Sequence, residues 1–450
     1  MISADLKKKI AKLRICRKCS AIGKNLFFLK RLRCPLCGKA TRKYKLKGMN
    51  DQEVVENVKN EGGDKKIIKL ITARCADFDC PGEITSVIKG PVVTEYEFKP
   101  DRFTRVRRLK ALDQDLTLAL AADAVTIRTI PGKPCMGISI PNGVHEVVTF
   151  DSCADNIKEH YKDMELPLNF GITSDGSPYV EDLARYPHML IAGTTGTGKS
   201  VLLNQLLTNL LTVRSPEQLK LILIDPKTVE LFPYAKVPHL MRAPVAQVWT
   251  AIQVMEDVIN EMKNRTQVLH NYQVTSIKEL NDQFKSRAAV LEKEGKRESA
   301  ALERAKCWPY ILVVIDEMAN LVLEQKKDFI ARMASIAQMA RAAGISVIAA
   351  TQRPSVDVLP GKIKVNFLAR GAFRMPSAAD SKTVLNFKGA ETLLGKGDMF
   401  MLSPDKTGLQ RIHVAHCKKE NRDVVLERIA KYGYNSKGLL MESERKLVAV

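Results

Sequence analysis

Residues 187–200, PHMLIAGTTGTGKS, constrain this chain more tightly than any other stretch of it. Residues 189–192 are a short apolar run that reads as a buried strand. Gly193, Thr194, Thr195, Gly196, Thr197, Gly198, Lys199 and Ser200 then fit G-x-x-x-x-G-K-[ST]. An apolar helical run follows at Val201, Leu202, Leu203, Leu206, Leu207 and Leu210. Strand, glycine-rich loop and helix in that order are what a phosphate-binding loop requires. The glycines let the backbone aim its N–H groups at phosphates, and the positive end of the helix adds to the same place. Lys199 would then reach the β and γ phosphates while the Ser200 hydroxyl ligates magnesium, so ATP and Mg2+ are the expected cofactors. A Gly/Thr-rich turn of no function is the competing reading, and it gives no reason for the flanking strand and helix.

Further apolar strand candidates recur downstream at 219–224, 311–315, 345–350, 368–373, 397–402 and 412–415. Separated by helical patterns, they predict a largely parallel sheet covered on both faces, with ligands beyond the carboxyl ends of the strands. Asp316 and Glu317 follow directly after one such run. There Asp316 would hold magnesium through water and Glu317 would polarise the attacking water. Asp225-Pro226-Lys227 and Thr351-Gln352-Arg353 end two other strands, and Gln352 is suited to sense the γ phosphate. Phe329, Met333, Ile336 and Ala340 form an apolar helical stripe ending near Gly344, with Arg332 and Arg341 off it. An arginine of that kind can reach a neighbouring subunit's nucleotide or simply face solvent. Residues 271–306 are rich in Lys and Arg among acids and read as helices leaving the sheet, either as part of a nucleic-acid channel or as a charge-mixed solvated surface.

The net charge is +21, and residues 1–50 hold sixteen Lys or Arg against the single acid Asp5. Such a surplus points to a polyanionic partner, nucleic acid first, with a solubilising tail or an anionic membrane as alternatives. The same segment carries Cys16-x-x-Cys19 and Cys34-x-x-Cys37, four thiols with the spacing of a tetrahedral zinc site; disulfides are the alternative. Basic residues interleaved with these cysteines suit phosphate contact, and a protein partner for the zinc module is equally open. Residues 41–66 turn polar and read as a linker with a short helix near 53–59. Between 67 and 165 a small α/β unit is expected, with strands at 91–98, 125–130 and around Ile138 and Ile140, a helix at 109–122, and a turn at 131–134. Cys75, Cys80, Cys135 and Cys153 lack paired spacing and read as thiols in or near packed surfaces. No apolar run reaches the roughly 18 residues that cross a bilayer. A soluble, cytoplasmic protein without membrane insertion is expected.

The stretches HMLIAGTTGTGKS, LILIDPKTVEL, VVIDEMANL, ARAAGISVIAATQRPSVDVLPGKIK and GAETLLGKGDM resemble the motor of the FtsK/SpoIIIE family of double-stranded DNA translocases. GPVVTEYEF and IPGKP are similar to that family's α subdomain. The resemblance implies an α/β fold: a RecA-like P-loop NTPase motor (β subdomain, 166–432) behind a small α/β domain (α subdomain, 67–165), here with an N-terminal zinc ribbon (1–40), a linker (41–66) and a tail (433–450). It implies a ring, expected to be a hexamer, that hydrolyses ATP and pumps duplex DNA through its pore. It also implies roles: Lys199 and Ser200 at phosphate and magnesium, Asp316 and Glu317 in hydrolysis, Gln352 as sensor and Arg341 as the finger acting in trans. Arg353, Lys364 and Lys382 lie in stretches that supply pore contacts, whereas Ala378 stands where many relatives have a basic or amide residue. Membrane spans before the motor and a winged-helix domain behind it are usual in the family; neither is expected in these 450 residues, so a septal role is not taken over from the resemblance and a phage, plasmid or accessory translocase is expected as readily. A conjugation or protein-secretion motor and an ATP-gated DNA clamp are the alternative functions.

Overall fold

The computed structural model describes residues 14–16, 41–43, 51–130, 132–144, 146–151 and 163–434, with side chains from residue 64 onward. The chain divides into two compact units, Met1–Lys69 and Leu70–Val450. In the first, β1 (Arg14–Cys16) and β2 (Thr41–Lys43) pair antiparallel. The cysteine module otherwise lies outside the described residues: this holds for the side chain of Cys16 and for Cys19, Cys34 and Cys37, as well as for Cys153. Helix α1 (Asp51–Asp77) replaces the expected short helix and much of the expected linker. Its last turns bury Ile71 and Cys75 one helical turn apart, so apolar spacing continues past the point where polar composition suggests a break.

In the second unit, β3 (Gly82–Lys89), β4 (Val93–Pro100), β5 (Thr126–Thr129) and β6 (Met136–Pro141) form an antiparallel sheet in the order β3-β4-β6-β5. Strand β3 has no counterpart among the strands expected from sequence. The predicted helix at 109–122 is broken into a short helix at Val106–Leu109, a 3-10 turn at Lys110–Leu112 and helix α2 (Asp113–Leu120).

The larger sheet has nine strands: β7 (Pro167–Thr173), β8 (Pro178–Asp182), β9 (His188–Ala192), β10 (Leu219–Ile224), β11 (Tyr310–Ile315), β12 (Ile345–Thr351), β13 (Ala369–Phe373), β14 (Asp398–Leu402) and β15 (Leu409–Val414). Their order is β10-β11-β12-β9-β13-β14-β15-β7-β8. Strands β10 to β13 and β9 run parallel, and from the β13–β14 pair outward every pairing is antiparallel. The largely parallel sheet expected from sequence is therefore parallel in five strands only. The link between β14 and β15 is too short for a crossover helix, so those strands return as a hairpin. The sequence pattern does not reveal β7 and β8, because a bulge between Asn169 and Gly171 interrupts their alternation. Gly171, at φ +124°, lies so close to the His413 carbonyl that a Cβ would stand 2.1 Å from its oxygen.

Alternate residues of the central strands feed two cores. Leu190, Ala192, Ile222, Ile224, Val313 and Ile315 face helices α4 (Val248–Asn271) and α7 (Met318–Met339). Met189, Ile191, Leu221, Leu223, Leu312 and Val314 face α3 (Lys199–Val213). A strand covered on both sides is apolar at every position, which is why these runs are legible. The basic insertion folds as a hairpin of α5 (Ile277–Lys293) and α6 (Arg297–Ala305). Ile277, Leu280 and Phe284 anchor its first helix in the α3-side core. Among the described residues no helix is long and apolar enough to cross a membrane.

Candidate nucleotide site

Strand β9 is fully buried and delivers the chain to the Gly193–Ser200 loop at the carboxyl edge of the parallel strands. The glycines have specific work. Gly198 has φ +119°, and a Cβ there would lie 2.9 Å from the Gly397 nitrogen. The Gly397 N–H donates to the Thr197 carbonyl at 2.9 Å, tying the loop to the start of β14. Thr197 closes the loop internally by donating to the Thr194 carbonyl at 2.7 Å.

Strands β11 and β12 end beside this loop and bring the acidic pair to it. Lys199 is 4% exposed and Asp316 1%. The Lys199 ammonium donates to Asp316 Oδ1 at 2.8 Å and to the Asp316 carbonyl at 2.6 Å. Glu317 caps α7 by accepting from the Ala319 N–H at 3.3 Å. It also accepts from the Thr351 hydroxyl at 2.9 Å and from the Gln352 N–H at 3.1 and 3.2 Å. Lys227, from the turn after β10, reaches Glu317 Oε2 at 3.4 Å. The Gln352 side chain accepts from the Thr195 hydroxyl at 3.0 Å, joining the end of β12 to the loop. Residues from three parallel strands thus converge on one glycine-rich turn.

The turn after β10 is held by Asp225, which is fully buried. Its Oδ2 accepts from the N–H groups of Val229, Glu230 and Leu231 at 2.9, 2.9 and 3.0 Å, and its Oδ1 from that of Lys227 at 3.0 Å. Beside the loop runs a cleft of about 1600 Å³, lined by Thr194, Gly198, Lys199, Ser200, Gln352 and Arg374 and also by Gln114 and Thr117 of α2.

Residues 151–356 match the FtsK/SpoIIIE family and residues 45–142 match the FtsK alpha domain. The chain belongs to the FtsK/SpoIIIE family. It is 36% identical over 390 residues to the DNA translocase FtsK of Helicobacter pylori strain J99, an alignment covering 85% of this chain and 44% of that relative. To the DNA translocase FtsK of Rickettsia typhi it is 39% identical over 351 residues, covering 75% of this chain and 47% of that relative. The chain thus spans less than half the length of these relatives. Among solved structures, the pCW3 conjugation coupling protein TcpA, in a monomer form with ATPγS, aligns with a TM-score of 0.54 at 21% identity, over 80% of this chain and 99% of that one. That likeness is one of fold: an α/β P-loop ATPase architecture behind a small preceding domain.

In this FtsK/SpoIIIE chain Arg341 is exposed and lies just before β12, at the edge of the sheet opposite the phosphate loop. Strand β12 has seven residues at about 3.3 Å each, so Arg341 sits roughly 20 Å from its own site. Arg353 and Lys382 are exposed. Lys364 is half-buried and donates to the Thr383 carbonyl at 3.0 Å, and burial together with the nearby Arg370 guanidinium lowers its ammonium's pKa. From sequence, Lys227 and Thr351 end strands with nothing to link them to Glu317. Their only signal is that position, because partners brought from separate strands have no spacing that reveals them.

Proposed function

We propose that the chain is an ATP-hydrolysing motor that translocates double-stranded DNA, working in the cytoplasm as a homo-oligomeric ring, a hexamer. What supports it is the buried Lys199–Asp316 clasp beside Glu317, set on the loop of an FtsK/SpoIIIE chain. In this reading Gly193, Thr194, Thr195, Gly196, Thr197 and Gly198 wrap the phosphates, and Lys199 exchanges Asp316 for the β and γ phosphates. The Ser200 hydroxyl and the Asp316 carboxylate are hard oxygen donors of the kind magnesium prefers. When bound, the metal neutralises charge developing on the transferred phosphoryl group. Glu317, aimed by Thr351, the Gln352 N–H and Lys227, orients and polarises the attacking water. Gln352 reports the γ phosphate, and Arg341, too far from its own loop, serves the neighbouring subunit.

Arg353 and Lys382 are exposed cations suited to DNA phosphates. Lys364 reaches DNA only by releasing Thr383, since its ammonium is engaged there. Cys16, Cys19, Cys34 and Cys37 supply four thiolates for one zinc ion in a basic module that grips phosphate or recruits a protein. Metal analysis of the full chain is expected to find one zinc per subunit, reduced by Cys34→Ser.

The test is displacement of a triplex-forming strand from duplex DNA by the full-length protein with ATP. Displacement that Lys199→Ala abolishes is expected. Tight binding of ATP and duplex with no turnover would replace the motor with a clamp, and ATPase activity that duplex DNA fails to stimulate at low salt would point away from DNA altogether.

A further inference from the structure

We propose that Lys396 is a nucleotide-contacting residue of this cleft that holds the diphosphate common to ADP and ATP; the inference rests on the cleft being a nucleotide site. Gly395, Lys396 and Gly397 have φ of +82°, +50° and +96° in succession. A left-handed backbone is unstrained for glycine and costly for a residue with a Cβ. Lysine therefore occupies the middle of a turn whose backbone favours glycine, and an outlier of this kind in a cleft calls for a reason in its side chain. The lysine is exposed and lines the same cleft as Gly198, Lys199 and Ser200.

The turn is built to hold it still. Gly397 is bonded to the Thr197 carbonyl at 2.9 Å, and the Val414 N–H donates to the Gly397 carbonyl at 2.9 Å. Beneath, the buried Asp398 accepts from the Leu394 N–H at 3.0 Å and takes two bonds from Arg411, at 2.9 and 2.7 Å. Asp398 is thus already engaged by three donors, and Glu391, another acid lining the cleft, accepts from the Gly389 N–H at 2.8 Å. Among the described residues Lys396 makes no ion pair or hydrogen bond, whereas the ammonium of Lys199 is already engaged with Asp316.

Sheet order says which end of the nucleotide Lys396 meets. Strand β9 has β12 on one side and β13 on the other, with β14 beyond β13. Glu317 and Gln352 end strands on the β12 side, where the γ phosphate is cleaved. The Gly395–Gly397 turn opens β14, on the far side of the loop. Lys396 therefore approaches from the end that ADP retains, and its loss weakens ADP and ATP alike.

Calorimetric titration of the full-length protein with ADP and with ATPγS tests this. Lys396→Gly is expected to raise both dissociation constants by the same factor, about tenfold for a charge-assisted contact. The melting temperature should not fall, because glycine relieves the strained φ. Lys396→Met should weaken both ligands as the glycine variant does, and Lys396→Arg should restore them. Weakening of ATPγS alone would overturn the assignment by moving Lys396 to the γ phosphate. Unchanged affinities beside a Lys199→Ala variant that has lost binding would overturn it outright. Unchanged affinities in Lys199→Ala as well would bring down the reading of the cleft on which it rests.

Discussion

Glu317 illustrates how much of a single residue's role depends on others. Its carboxylate is fixed by a hydroxyl, a backbone N–H and an ammonium from two neighbouring strand ends, before any ligand arrives. Glu317→Gln keeps the shape and most of these contacts but removes the charge that polarises water. It is expected to bind ATP normally while turnover falls by about a hundredfold or more, read by single-turnover hydrolysis. His188 sits in β9 with both ring nitrogens unpartnered, and burial holds its pKa down to about 4. His239 is likewise lowered to about 4, chiefly by burial. The fold accommodates the neutral rings, so the unfolded chain takes up protons first as pH drops below the ordinary histidine value of 6.5. Their contribution is complete above pH 6.5 and drains away toward pH 4, roughly 3 kcal/mol each. His188→Leu should flatten the acid limb of stability against pH in urea melts, and an unchanged limb would refute this.

At the level of elements, the phosphate loop is held by its neighbours as much as by its own glycines. Gly397, in the turn that leads into β14, donates its N–H to the loop, and the Asp398–Arg411 pair clasps β14 to β15 just behind it. Burial pushes the Asp398 carboxyl up, yet the Arg411 charge and hydrogen bonds, with His413 and the Leu394 N–H, bring it below its ordinary value. Removing one member of such a pair strands the other in the core. Arg411→Met should cost about 3–5 kcal/mol by equilibrium unfolding and weaken nucleotide binding through the loosened loop. Gly198→Ala should hit the same junction, since a Cβ there meets the Gly397 backbone in a left-handed conformation. At a compatible site that substitution stabilises by a few tenths of a kcal/mol or more; here loss of stability and of ATP binding is expected.

For the molecule as a whole, charge and position matter more than any one contact. Arg341 lies at the wrong edge of the sheet to serve its own loop, so an active site that uses it needs a second copy. Mixing Arg341→Ala subunits, which bind ATP, with Lys199→Ala subunits, which keep Arg341, should restore a fraction of the ATPase activity that neither has alone. No recovery would confine Arg341 to the surface. The basic first fifty residues are predicted to engage DNA phosphates. Deleting them should flatten the log–log salt dependence of duplex binding by about 0.9 for every phosphate they neutralise, and an unchanged slope would leave protein recruitment as their purpose.

The phosphate loop, the acidic strand end and the central strands can be read from one sequence because each is written locally: a glycine pattern, an unbroken apolar run, an acid directly after it. The hairpin strands β14 and β15 are also legible, but their antiparallel sense is not, since an apolar run carries no direction. Bulged β7 and polar-edged β8 give too weak an alternation to be seen. What the tertiary structure alone decided is which distant residues meet. Lys227 and Thr351 reach Glu317, Gln352 meets Thr195, and the Gly395–Gly397 turn locks against Thr197, all through sheet order. Strand adjacency is set by the summed burial of two faces, a property of the whole core that no single stretch of sequence contains.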